Sequence, residues 1–148
     1  MVDVLTLRRQ VCFPLYAASR AVTDLYRPIL DEFGLTYPQY LVLLVLWEHP
    51  DEPQTVKRIG ECLHLDSGTL SPLLKRLERG GLVTRSRSPR DERSVEVGLT
   101  EAGRALRDRV EDVPGRIQRG TGLSEAELVA LRRTLDRLIE STRQPHRR

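Results

Sequence analysis

The sequence predicts a mainly α-helical chain that carries one small β-hairpin. Three observations lead there. Apolar residues recur at helical spacing through most of the 148 residues. One stretch after Gly80-Gly81 switches to a period of two. Gly, Pro or a hydroxyl residue stands at the changes between segments.

Residues 5–33 read as a helix, with Leu5, Val11, Leu15, Ala18, Val22, Leu25 and Ile29 at its apolar positions. Pro14 and Pro28 fall inside that pattern, so a late start or a kink is expected, because proline lacks the backbone donor and crowds the preceding turn. Gly34 closes the segment. Tyr37–Glu48 is apolar on nearly every side and predicts a buried helix. Pro50-Asp51-Glu52-Pro53 is a loop. Residues 55–63 predict a short helix with Val56, Ile59 and Leu63 inward, and Leu65-Asp66-Ser67-Gly68 a turn. A second helix follows with Leu70, Leu73, Leu74 and Leu77 on one stripe. Pro72 fits best in its first turn, which puts the cap within Ser67–Thr69. Gly80-Gly81 ends it. Val83, Arg85 and Arg87 then alternate with Thr84 and Ser86. After a charged tip, Val95, Val97 and Leu99 alternate with Ser94, Glu96 and Gly98, a strand and its return. Thr100 is placed to cap a helix bearing Leu106, Val110 and Val113, interrupted by Pro114-Gly115. Ser124 and Glu127 have capping-box spacing ahead of Leu128, Leu131, Leu135 and Leu138. Two short helices across a tight turn, followed by a hairpin, make a winged helix-turn-helix at about residues 54–99 within a single domain spanning 1–148.

Composition narrows the function. The chain is 39% hydrophobic and 30% charged, a globular balance. Its longest apolar run, Tyr40–Trp47, is eight residues, well short of a membrane span. The N-terminus shows no secretory pattern, so the cytoplasm is the expected location. Two cysteines, Cys12 and Cys62, make neither a disulfide framework nor a four-ligand metal site. The histidines, His49, His64 and His146, are not spaced with carboxylates or cysteines as zinc requires and are read as surface or loop residues. No glycine-rich phosphate loop, nucleophile elbow or carboxylate pair stands out, so no cofactor, metal or catalytic residue is expected. The net charge of +3 is uneven: residues 54–93 carry +4 and residues 35–53 carry −3. A basic internal block is the electrostatic footprint of a polyanion binder.

The winged segment supplies the matching chemistry. Away from its leucines the second helix presents Thr69, Ser71, Lys75, Arg76 and Arg79, with Ser67 at its start. Hydroxyls and backbone amides at a helix N-terminus meet phosphate, and arginine reads guanine through two hydrogen bonds. The hairpin adds Arg85, Arg87, Arg90 and Arg93 beside Asp91 and Glu92. An arginine on such a tip fits a narrow minor groove, and Asp91 is placed to fix the direction of Arg93. Double-stranded DNA is the expected partner; a protein-interaction module is the bland alternative. The leucine spacing of residues 128–138 favours packing on a second copy, which would present two reading helices to a pseudo-palindromic operator.

Cys12 lies early in the first helix with Tyr16 one turn on, and all four tyrosines fall within thirty residues of it. A thiolate at a helix start, near phenolic donors, reacts with peroxide to a sulfenic acid that thiols reverse. A small hydrophobe is the ordinary role of a lone cysteine on an apolar helix.

Five segments resemble a known family. They are Cys12-Phe13-Pro14-Leu15-Tyr16-Ala17, Thr36-Tyr37-Pro38-Gln39-Tyr40, Leu44-Val45-Leu46-Trp47-Glu48, the run from Leu65 to Arg76, and Asp91-Glu92-Arg93-Ser94-Val95. Over essentially its full length the chain resembles the MarR-type winged-helix repressors. The Cys12, Tyr37 and Asp66-Ser67-Gly68-Thr69 segments narrow the resemblance to the organic-hydroperoxide sensors called OhrR. The resemblance implies an intertwined homodimer through N- and C-terminal helices, about residues 5–34 and 101–142. It implies that Cys12 is the peroxidatic cysteine, that Tyr26 and Tyr37 reach it from the other subunit, and that Tyr16 lies near it on the same chain. Organic hydroperoxide would then oxidise Cys12 and release the operator. No cysteine follows Cys62, which is read as buried packing beside Leu63. That leaves the one-cysteine type, in which a small cellular thiol caps Cys12. Two other readings stay open: a repressor released by a small aromatic ligand, and a thiol peroxidase.

Overall fold

The computed structural model describes residues 4–143. They form two units, one ending at Asp112 and one beginning at Val113.

In the first unit a single 3-10 turn, Leu7–Arg9, precedes α1 (Cys12–Asp31). The late start follows from Pro14. At the third position of α1 its missing N–H falls among those that have no intrahelical partner. Pro28 is deeper, and α1 continues only to Asp31 before Gly34 turns the chain at φ +68°. Next comes α2 (Tyr37–Glu48). Its start is fixed by a capping box: Gln39 N–H donates to the Thr36 hydroxyl at 3.4 Å, and Thr36 N–H donates to Gln39 Oε1 at 3.0 Å. As its composition predicts, α2 buries Tyr40, Val42, Leu43, Leu46 and Trp47.

The helix-turn-helix is α3 (Val56–Leu63) and α4 (Ser67–Arg79). Thr55 caps α3, accepting from Arg58 N–H at 3.1 Å. Gly60 is obligatory there, since a Cβ would lie 2.7 Å from the Leu65 carbonyl oxygen. The start of α4 differs from the sequence expectation. Asp66, not a residue of Ser67–Thr69, is the cap, and its carboxylate accepts from Thr69 N–H at 2.7 Å. Pro72 therefore stands in the second turn. A charge-assisted cap outweighs the proline's preference for the first turn, at the expense of one intrahelical hydrogen bond.

The hairpin is β2 (Val83–Arg87) and β3 (Val95–Leu99), paired antiparallel from Val83↔Leu99 to Arg87↔Val95. It is one part of a three-stranded sheet, not a free hairpin. β1 (Gln54–Thr55) pairs with the other edge of β3, Gln54↔Val97 and Thr55↔Glu96, in the order β1-β3-β2. Two residues are too few to show a period of two, so β1 is silent in the sequence. The core of this unit joins Leu43 and Leu46 of α2, Ile59 of α3, Leu70, Leu74 and Leu77 of α4, and Val83 and Val97 of the sheet, each at most 1% exposed. Full burial of each such side chain is worth about 1.5–3 kcal/mol.

Thr100 caps α5 (Glu101–Arg109), accepting from Gly103 N–H at 3.0 Å and donating to the Gly81 carbonyl at 2.6 Å. The expected single helix through Val113 does not form. The second unit begins there as α6 (Val113–Thr121), so Val113 opens a helix instead of continuing one. Pro114 takes the second position, where its missing donor has no partner to lose. Gly122 (φ +69°) then leads to α7 (Glu125–Arg143). The predicted capping box is present: Ser124 N–H donates to Glu127 Oε2 at 2.8 Å and Glu127 N–H to Ser124 Oγ at 3.2 Å. Val113 and Ile117 of α6 are buried, whereas α7 buries none of its side chains. No helix among the described residues is long and apolar enough to cross a membrane.

Candidate nucleic-acid interface and thiol site

Helix α4 offers two chemically distinct sides beyond its buried leucines. At 100° per residue, Lys75 and Arg79 fall opposite Leu70 and Leu77, while Thr69 and Arg76 lie about 80–120° from those leucines, on the flank away from Ser67 and Ser71. All four are exposed. Ser67, Ser71 and Leu74 form a separate stripe that lines a groove against the sheet, together with Arg85, Arg93 and Ser94. Ser71 is half-buried there. The sequence expectation put Ser71 with Lys75 and Arg76; its 400° of rotation from Ser67 returns it to the wing side instead.

The same stripe continues to Glu78, whose carboxylate accepts from Arg85 Nη2 at 2.9 Å. That hydrogen bond holds the Glu78 carboxyl below the ordinary glutamate range. Arg85 is thus tied to α4 and is not a free cation of the wing. The tip of the wing is held by its own polar groups. Ser88 is buried, and its hydroxyl accepts from Arg90 N–H at 3.2 Å. Asp91 Oδ1 accepts from Arg93 N–H at 3.0 Å, and Ser94 Oγ donates to Asp91 Oδ2 at 3.4 Å. Asp91 does set the direction of the Arg93 segment, but through the main chain, as an Asx turn does. Arg87, Arg90, Asp91 and Arg93 are exposed. Lys57 at the start of α3 and Thr55 also line the groove. Sequence reading passed over both; the +4 block containing Lys57 was the available signal.

The thiol residues are spread along the chain. Cys12 is the first residue of α1, exposed, after a Val11 that gives no side-chain cap. Tyr16, one turn on, is exposed, with the Arg20 guanidinium 5.6 Å from its ring centre. Tyr26 stands fourteen residues beyond Cys12 in the same helix, about 21 Å along the axis at 1.5 Å per residue. It packs on α2, its ring centre 4.6 Å from that of Tyr37 and 5.8 Å from that of Tyr40. One chain therefore groups Cys12 with Tyr16, and Tyr26 with Tyr37 and Tyr40. Burial pushes the Tyr26 phenol up to about 12, with the neighbouring Tyr37 and Tyr40 adding to the rise. Burial raises Tyr37 and Tyr40 as well, so all three remain hydroxyl donors at neutral pH. Cys62 is exposed on α3, against the expectation of buried packing. The helix turns Ile59 inward, and a position three residues on shares that side only partly. His49 and His64 are exposed as read; His146 lies outside the described residues. No group of three His, Cys, Asp or Glu able to hold a metal ion occurs among the described residues.

Comparison with known proteins gives concordant matches. The family model for the transcriptional regulator SarA/Rot matches residues 24–110, more than half of the chain. An organic hydroperoxide resistance transcriptional regulator of Bacillus subtilis is 51% identical over 142 residues, covering 96% of this chain and 95% of that protein. Among solved structures, reduced AbfR bound to DNA, a protein of Staphylococcus epidermidis, superposes with a TM-score of 0.76 at 38% identity, covering 92% of this chain and 94% of that one. The Staphylococcus aureus MepR–DNA complex gives 0.78 at 25% identity, over 89% and 98%.

Proposed function

From the premise that the chain belongs to the MarR-type winged-helix transcriptional regulators, with the organic hydroperoxide resistance regulator among its relatives, we propose a dimeric repressor of duplex DNA that organic hydroperoxides switch off through Cys12. The observation that carries the DNA reading is the pairing of an exposed Thr69-Lys75-Arg76-Arg79 side on α4 with an arginine-tipped wing held rigid by Ser88 and Asp91. The helix enters the major groove and the wing tip lies over the adjacent minor groove. In this reading residues 1–148 are one functional domain acting in the cytoplasm. Its outer helices, about 5–34 and 101–142, join two copies so that the reading helices sit about 34 Å apart on a pseudo-palindromic operator.

The switch is a two-electron step. The Cys12 thiolate attacks the distal peroxide oxygen; the O–O bond breaks, an S–O bond forms, and the organic hydroperoxide leaves as an alcohol. A small cellular thiol then condenses with the sulfenic acid, giving a mixed disulfide and water. Exposure of Cys12 at a helix start supports that chemistry. The separation of Tyr26 and Tyr37 from Cys12 along one chain means that their hydroxyls serve it only from a second copy. Exposed Val11, Phe13 and Leu15 around Cys12 suit such packing.

Fluorescence anisotropy on labelled duplex from the DNA flanking the gene tests both parts. The parent should bind with a steep salt dependence and be released by near-stoichiometric organic hydroperoxide plus a small thiol. Cys12→Ser should bind and stay bound. Intact mass should show the thiol on Cys12. Release of Cys12→Ser like the parent, or a Cys12–Cys62 bridge, would remove the proposed switch, and catalytic turnover of peroxide would make the chain a peroxidase.

A further inference from the structure

A line of buried contacts, outside both the DNA face and the thiol site, runs from the tyrosine cluster to the foot of the wing. Tyr37, Tyr40 and Trp47 all belong to α2. At 100° per residue they lie within about 80° of one another, on one side of the helix. From Tyr37 to Trp47 this side covers about 15 Å of axis. At one end Tyr26 of α1 packs on Tyr37 and Tyr40. Tyr40 is buried, and its ring meets the Trp47 indole edge-on, 6.4 Å between ring centres. Trp47 is buried as well, and its Nε1–H donates to the Gly103 carbonyl of α5 at 2.9 Å. The start of α5 is in turn fastened to the turn between α4 and β2. The Thr100 hydroxyl donates to the Gly81 carbonyl at 2.6 Å, and Thr100 N–H donates to the Leu82 carbonyl at 3.0 Å. Leu82 leads directly into β2, the first strand of the wing. A buried indole N–H needs an acceptor. Because this acceptor belongs to another element, the bond ties α2 to α5. Rings in contact inside a close-packed core leave little room to absorb a shift at one end.

We propose that Tyr40 and Trp47 are positioning residues that couple the Tyr26 and Tyr37 phenols to the wing, through the indole bond to Gly103. The inference rests on the peroxide switch above, in which those phenols serve Cys12 of a second copy. Conversion of Cys12 to the mixed disulfide removes the thiolate that the phenols face. Tyr26 and Tyr37 then repack, Tyr40 follows, and the indole carries the shift to the start of α5 and the foot of β2. In this arrangement Tyr40 and Trp47 contact neither peroxide nor duplex. Coupling is reciprocal, so duplex binding acts back on the Cys12 equilibrium along the same line.

Continuity in space does not by itself make a coupling, so the test measures the coupling. Duplex affinity is taken by anisotropy for each protein when reduced and again after cumene hydroperoxide with free cysteine. Intact mass confirms equal modification of Cys12. The readout is the ratio of the two affinities, which a general loss of stability does not change. Trp47→Phe keeps a ring and removes the N–H. It should hold its reduced-state affinity within about twofold and lower the ratio by about threefold or more. Tyr40→Leu should lower the ratio likewise, and Tyr40→Phe, which keeps the ring, should hold the parent's ratio. Ile59→Val, a core change away from this line, should hold it too. Trp47 is the chain's single tryptophan, so its emission reports on the junction directly. That emission should change when Cys12 of the DNA-free parent is modified, and stay constant in Cys12→Ser under the same treatment. A full ratio in both Trp47→Phe and Tyr40→Leu, or an indole emission blind to Cys12, would overturn the coupling and leave the switch standing. Equal losses in Tyr40→Phe and Tyr40→Leu would place the effect in the hydroxyl and overturn it as well. A parent that oxidation does not release loses the switch and the coupling together.

Discussion

Gly103 shows how much of this structure hangs on single atoms. Its carbonyl accepts the buried Trp47 Nε1–H at 2.9 Å, and its own N–H is the donor that Thr100 caps. A Cβ at this position would run into the Leu82 carbonyl oxygen. The start of α5, the end of the α4–β2 turn and the indole of α2 therefore meet at one residue that must be glycine. Gly103→Ala is expected to lower stability by about 1–3 kcal/mol, the usual cost of overpacking, read as a lower urea midpoint with an unchanged slope. A midpoint equal to the parent's would show that the backbone yields freely there. None of this is visible in the sequence, where Gly103 is one small residue in a helical run.

At the scale of elements, capping decides where helices begin. The Asp66 carboxyl of α4 is held below its ordinary range, first by the hydrogen bond from the Thr69 backbone N–H. Because the folded group titrates below its unfolded value, its contribution is present above about pH 4 and is lost as the pH falls through the lowered folded value. The urea midpoint of the parent should therefore drop more steeply below pH 4 than that of Asp66→Asn, whose amide oxygen still caps but does not titrate. Parallel curves would show that the cap is not charge-assisted. Element boundaries were legible where the cap and the period agreed: Thr100 ahead of α5, and Ser124 with Glu127 ahead of α7. They were misplaced where a proline looked like the stronger marker, at Pro72 and at Pro114. A proline excludes only one hydrogen bond, whereas the cap and the tertiary packing act on the whole turn.

For the whole molecule, the informative feature is what one chain leaves uncovered. Helix α7 buries no side chain, and Leu131, Leu138 and Ile139 are at least 36% exposed. At the other end Val4, Leu5, Leu7, Val11 and Phe13 are also exposed. Two apolar stripes of this kind are what a second copy would cover in the proposed dimer. Sedimentation at micromolar concentration is expected to give a dimer, and Leu131→Glu with Leu138→Glu a monomer that binds duplex DNA much more weakly. A monomeric parent would remove the two-fold geometry and with it the delivery of Tyr26 and Tyr37 to Cys12.

The sequence by itself determined the helical class, the winged order of elements, the basic block and a cysteine early in the first helix. These are carried by periodicity, caps and charge along the chain, all of them local. Only the tertiary structure decided that Ser71 of α4 turns toward the sheet, that Arg85 is committed to Glu78, that Asp91 acts through the Arg93 backbone, and that Cys62 is exposed. It also decided that β1 completes the sheet. Each of those depends on residues far apart in sequence meeting at a particular rotation of a helix or register of a strand. A shift of one residue changes the side a group faces by about 100° in a helix and reverses it in a strand, so composition and spacing alone leave such meetings undetermined.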